Sequence, residues 1–208
     1  MLSLQVLFRL SGFGLISASG LIILAHICQL LSGQNDMLAL AGGLLLLVGG
    51  LIVCLCLPAL FLRQVPGVGI GGLIGFIGFS LGMFLLNIDA TMLNVFLVPW
   101  LANMDPKLAQ GPDGLGGLFL VSSLLQLVGG IIFCLSSLRT EIFPRWPVLL
   151  LLATLLVQAI GGTLQEAGIV TLIASLVFYC ALVWMSMTLL KAPEAFSDRE
   201  ASFSEARA

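Results

Sequence analysis

Charge is the scarcest commodity in this chain. Of 208 residues, 8 are Lys or Arg and 10 are Asp or Glu, 9% in all, where soluble domains carry about a quarter. So few charges do not cover a water-facing surface, so a freely soluble globule is excluded and a lipid bilayer is the expected solvent. The small net charge, −2, gives no reason to expect nucleic acid as a partner. Histidine is scarcer still, since His26 stands alone. One histidine does not provide the two axial ligands expected of a bilayer haem, nor the His/Glu pair at i, i+4 of an intramembrane metalloprotease. Paired carboxylates, a P-loop and a deep Schiff-base lysine are all missing from the apolar runs. The five cysteines, Cys28, Cys54, Cys56, Cys134 and Cys180, fall inside those runs, where disulfides are not expected. On a helix, Cys54 and Cys56 point about 200° apart and do not share a metal. No catalytic residue, cofactor or metal is expected.

Hydrocarbon is what the chain has in abundance: 60% of residues are hydrophobic, and the mean hydropathy is +1.18. Residues 10–35, 37–62, 64–88, 114–138, 146–165 and 167–190 each lack Asp, Glu, Lys and Arg. Each is about long enough, at about 1.5 Å per helical residue, to cross about 30 Å of hydrocarbon. They are apolar on every side, where barrel strands would alternate. The expectation is an all-α, polytopic transmembrane bundle over residues 1–190. Its six spans fall near 10–31, 37–62, 67–88, 115–138, 147–164 and 167–190. The polar tail "KAPEAFSDREASFSEARA", 191–208, is expected to be flexible. Arg9 precedes an apolar stretch that runs well past Ser17-Ala18-Ser19, so an uncleaved first span is expected.

The basic residues set the orientation. With six spans and a cytoplasmic N-terminus, Arg9, Arg63, Arg139, Arg145, Lys191, Arg199 and Arg207 lie inside, and only Lys107 lies outside. A seventh span through 90–104, "ATMLNVFLVPWLANM", would break this bias. That segment is therefore expected to extend helix 3 or to lie in the outer interface. Trp100 would serve as an outer anchor and Trp146 as an inner one. The expected setting is a bacterial plasma membrane, with both termini cytoplasmic. The expected partners are the lipid bilayer and possible further membrane subunits or self-association, with no nucleic acid.

Glycine is plentiful, 24 in all, and "GVGIGGLIGFIGFSLG" at 67–82 holds seven of them. Gly67, Gly69 and Gly72 fit G-x-G-x-x-G, and Asp89 follows at about the dinucleotide-binding distance of 20 residues. The preceding "strand", however, would be "LPALFLRQV", broken by Pro58 and followed by Pro66, and the run downstream is uncharged as a span is. A packing stripe explains the spacing better. Gly67, Gly71, Gly75, Gly78 and Gly82 step by 4, 4, 3 and 4, so they fall along one side of a helix and admit a close neighbour. Gly69 lies off this stripe and is expected to tolerate substitution better.

Polar groups in and beside the spans give the other candidate site: His26, Asn87, Asp89 and Asn94. Asn87 and Asn94, seven apart, align on a helix, and Asp89 is the carboxylate nearest the hydrocarbon. The expectation is that Asp89 lines an outward-facing cavity with Asn87 and His26. "LVGGLIVCL" at 47–55 and "LVGGIIFCL" at 127–135 agree at seven of nine positions, which suggests a parallel duplication.

The layout resembles small bacterial multi-pass membrane proteins. It rests on "FLRQ" closing helix 2, the glycine-studded helix 3 followed by "VPWLA", and "IFPRWP" opening helix 5. That resemblance implies no activity. The first functional expectation is an accessory or scaffold membrane component working through helix packing. The alternatives are a small-solute or ion carrier using the outer polar cluster, and a membrane enzyme or quinone-type binder using His26. A scaffold would be packed shut; a carrier would hold a polar cavity reaching toward the midplane.

Overall fold

The computed structural model describes residues 4–32, 36–104, 114–161 and 168–191. Among these the protein is helical, with no strand. The elements are α1 (Leu4–Ser32), α2 (Asp36–Leu62), α3 (Val65–Asn87), a π-helical segment (Ile88–Leu97), α4 (Val98–Met104), α5 (Gly114–Thr140), α6 (Arg145–Gly161) and α7 (Gly168–Leu190). Five stretches are long and apolar enough to cross a membrane: Gln5–Ser32, Met37–Leu62, Gly67–Leu101, Gly116–Thr140 and Ile169–Leu190. The sixth apolar helix, α6, has 17 residues, about 25 Å at the usual rise. Positions 162–164 of the expected fifth span, position 167 of the expected sixth and positions 192–208 of the expected tail lie outside the described residues.

Segment 90–104 continues α3. The chain passes from α3 into the π-helical turn and then α4 without a break. The Val98 N–H donates to Leu93 O, the i→i+5 bond of a π-helix. Pro99 follows directly on the π-helical segment, whose wider turn already departs from the i→i−4 ladder that a proline interrupts.

The six long helices pack as a closed ring in the order α1, α2, α3, α5, α6, α7 and back to α1. Neighbours run antiparallel, as the cross-helix contacts require. Gly14 faces Cys56 and Gly42 faces Ala25; Gly75 faces Ile132; Gly130 faces Leu155; Gly12 faces Leu189. All the helices are apolar around their circumference, so the outer surface stays apolar too. Leu55 and Ile70 are each 79% exposed, which suits lipid and not water.

One end of the ring is closed. Phe8, Leu57, Leu60, Phe143, Leu151, Leu182 and Leu189 fill it. Phe79 stacks on Phe133 with ring centroids 5.8 Å apart. At the α2–α3 corner Gln64 is fully buried and its Nε2 donates to Leu60 O at 3.2 Å. Beside it, the Arg63 guanidinium donates to Thr188 O near the C-terminus of α7. Burial pulls Arg63 below its usual value, yet a guanidinium starts so high that it stays protonated.

The α3–α5 contact is the most extensive in the ring. A Cβ on Gly75 would stand 2.7 Å from Ile132 Cγ2 and from the Phe133 backbone nitrogen. One on Gly82 would strike the backbone of Gln126, and one on Gly129 the backbone of Phe79. A Cβ on Gly78 would stand 3.3 Å from Gly129 Cα, and one on Gly67 would stand 3.1 Å from Thr140 Cγ2. Gly71 differs from the expected stripe, since nothing lies within 4 Å of a Cβ built there. The buried side of α3 runs through Val68, Gly72, Gly75, Phe79 and Gly82, in steps of 4, 3, 4 and 3. Gly72, not Gly71, continues it, and Ser136 Cβ lies 3.1 Å from the Cβ position at Gly72.

Gly69 corrects a second expectation. Its backbone is not helical, with φ 58° and ψ −178°. That region is open to glycine and nearly closed to other residues. Space around it is free, so the constraint is backbone shape alone. The break shifts the phase of Gly67 relative to the rest of the run; Gly71 lies beyond it, where i−3 from Gly75 (Gly72) and not i−4 (Gly71) takes the buried place.

Candidate functional site

The other end of the ring is open. A cavity of about 740 Å³ lies between all six long helices and is bounded also by the π-helical segment. Its residues come from the C-terminal ends of α1, α3 and α6, from the N-terminal halves of α5 and α7, and from the middle of α2. These are the halves remote from Arg63, Arg139, Arg145 and Lys191. Phe178 forms part of the floor: it lines the cavity and is tilted against Phe79 with centroids 6.3 Å apart. Phe79 and Phe133 continue the seal beneath it.

His26 and Asn87, from the expected polar cluster, both line this cavity. His26 is half-buried and hydrogen-bonded to the Gln29 side chain, one turn further along α1. Asn87 ends α3, and its Nδ2 donates to Leu47 O of α2 at 3.5 Å. Its amide fills the notch left by Gly50, where a Cβ would collide with it. Thr91 Oγ1, one turn on, donates to Asn87 Oδ1 at 3.5 Å. The backbone of Asp89 and Asn94 belongs to the π-helical segment, next to the cavity's rim. Their side chains lie outside the described residues.

Six further polar side chains line the cavity without having been singled out in the sequence: Ser123 and Gln126 of α5, Gln158 of α6, and Thr171, Ser175 and Tyr179 of α7. Gln158 Nε2 donates to Ser175 Oγ at 3.4 Å, bridging the two helices. A signal for the glutamines was present. Gln126 and Gln158 each stand three residues before a Gly-Gly pair, and an amide at that depth normally faces protein.

Apolar side chains fill in between, among them Met83, Leu86, Phe119, Leu120 and Leu124. The described lining contains no Asp, Glu, Lys or Arg. Among the described residues no three His, Cys, Asp or Glu cluster as a metal site would require. Chemically, the chamber offers neutral donors and acceptors on an apolar wall, and it has the size of a small-molecule site, about 300–1,000 Å³. The glycine run lies elsewhere. Apart from Met83, Leu86 and Asn87 at its end, α3 turns its small residues toward α5. No protein-family model, curated protein or solved structure matches this chain.

Proposed function

We propose that this is a six-span integral protein of a bacterial plasma membrane, with cytoplasmic termini, that captures a small molecule in an outward-facing chamber, as a carrier or a membrane-embedded binding protein. The cavity carries this reading. It is a sizeable chamber bordered by every long helix and furnished with hydrogen-bonding groups, where a purely structural scaffold calls for a ring packed shut. The outward orientation rests on charge. Arg63, Arg139, Arg145 and Lys191 all sit at the ends of helices opposite the chamber, and basic residues favour the cytoplasmic side. The matching Gly-Gly segments in α2 and α5 accord with a duplicated architecture of the kind used by carriers.

Thiol accessibility tests the reading. In a variant whose native cysteines are replaced by alanine, Ser123→Cys puts a thiol in the chamber lining, and Ser137→Cys puts one in the closed half, where Ser137 is buried. A membrane-impermeant thiol reagent added from outside should modify the first and spare the second. Protection of Ser123→Cys from outside, with modification from the cytoplasmic side, would reverse the orientation. Protection from both sides would remove the chamber.

A further inference from the structure

We infer that the chamber is built for the uncharged head of an amphiphile, a molecule with a neutral hydrogen-bonding group and a hydrocarbon portion; this deepens the binding reading above and rests on it. Three observations converge. The first concerns charge. The described lining supplies no carboxylate and no ammonium or guanidinium. An ion drawn to this depth loses its hydration and meets no fixed charge in the described lining, whose one imidazole, His26, is already bonded to Gln29; that is the costly case.

The second concerns the polar groups present. Asn87, Gln126 and Gln158 each offer an acceptor oxygen and two donor hydrogens, and Ser175 and Tyr179 offer hydroxyls that do both. Such a set recognises carbonyl, hydroxyl, ester or amide groups. The bonds observed inside it are long, 3.4 Å for Gln158 to Ser175 and 3.5 Å for Asn87 to Leu47. A ligand group therefore exchanges with them at little cost.

The third concerns the walls. Leu120 and Leu124, one turn apart on α5, line the cavity while remaining 58% and 50% exposed. They border the chamber with hydrocarbon beside its polar groups. A polyol filling the same volume would set hydroxyls against this wall without partners, which is unfavourable. A hydrocarbon segment covers it favourably. Head and tail are thus both called for.

The test uses three probes with one chain and three heads: 1-monooleoylglycerol, oleate and oleylamine. The full chain in phosphatidylcholine nanodiscs is equilibrated with each, and the retained adduct is measured by native mass spectrometry. The inference expects 1-monooleoylglycerol to be retained at about one per chain, at least tenfold above either charged probe. The double variant Gln158→Leu/Ser175→Ala should lower that retention about tenfold. Leu156→Ala, on an exposed face, should leave retention unchanged and serves as the folding control. Equal or greater retention of oleate or oleylamine would overturn the neutral-head inference and leave the binding chamber standing. Undiminished retention by the double variant would overturn it also. Retention of none of the three would overturn the chamber reading itself.

Discussion

At the scale of single residues, two glycines two positions apart differ for opposite reasons. Gly69 has free space and a forbidden backbone; Gly71 has free space and a permitted one. Gly69→Ala should therefore destabilise the protein by about 1–3 kcal/mol, the cost of holding a non-glycine residue in such a conformation. Gly71→Ala should be neutral or stabilising by about 0.5–1 kcal/mol, since alanine is the better helix former. Thermal unfolding of the two variants in nanodiscs decides it, and a Gly69→Ala protein as stable as the parent would show that the backbone relaxes there. The sequence marks this segment as a close helix contact but does not mark its phase. Seven glycines in 16 positions satisfy several helical counts at once, and no amphipathic pattern selects among them. A kink centred on a glycine leaves no trace in composition.

At the scale of elements, the two Gly-Gly pairs hold equivalent places. Gly49 of α2 packs on Ala18 and Ile22 of α1, the preceding long helix. Gly129 of α5 packs on Gly78 and Phe79 of α3, again the preceding long helix. The second glycine of each pair looks the other way: Gly50 toward Asn87 of α3, and Gly130 toward Leu155 of α6. This parallel use is what a duplicated hairpin would give. Gly49→Leu and Gly129→Leu should both sharply reduce folded yield in the membrane, because each pushes a side chain into a neighbour's backbone or a packed Ile, an overpacking cost of about 1–3 kcal/mol or more. Size-exclusion profiles after expression would read this out, and normal profiles for both would refute close packing at these sites. The helices themselves were legible, because the charges that interrupt them mark their ends. The ring order was not. Helix neighbours are chosen by small steric matches between faces that are alike in hydropathy. Gln158 and Ser175, 17 residues apart on two helices, meet only once that order is known.

At the scale of the whole molecule, the ring is asymmetric: open and neutral-polar at one end, sealed and flanked by basic residues at the other. The seal depends on more than hydrocarbon. Arg63 leaves the α2–α3 corner and donates to Thr188 O near the end of α7, joining two helices that meet only slightly elsewhere. A cation there meets the negative end of the α7 dipole. Hydrogen bonds to charged groups contribute about 1.5–3 kcal/mol, but Arg63 is only partly buried, so solvent screening places its effect toward or below the lower figure. Arg63→Ala should lower the unfolding temperature measurably, and Arg63→Lys should recover part of the loss by keeping the charge without the planar fork. Burial depresses the guanidinium's affinity for its proton, so the contribution would be lost only in strongly alkaline solution. The difference between parent and Arg63→Ala should therefore stay constant from about pH 6 to pH 9, below the range in which Arg titrates. A difference that changed within that window would assign the effect to another titrating group. No difference at any pH would mean that the apolar layer of Phe79, Phe133 and Leu189 closes the ring alone.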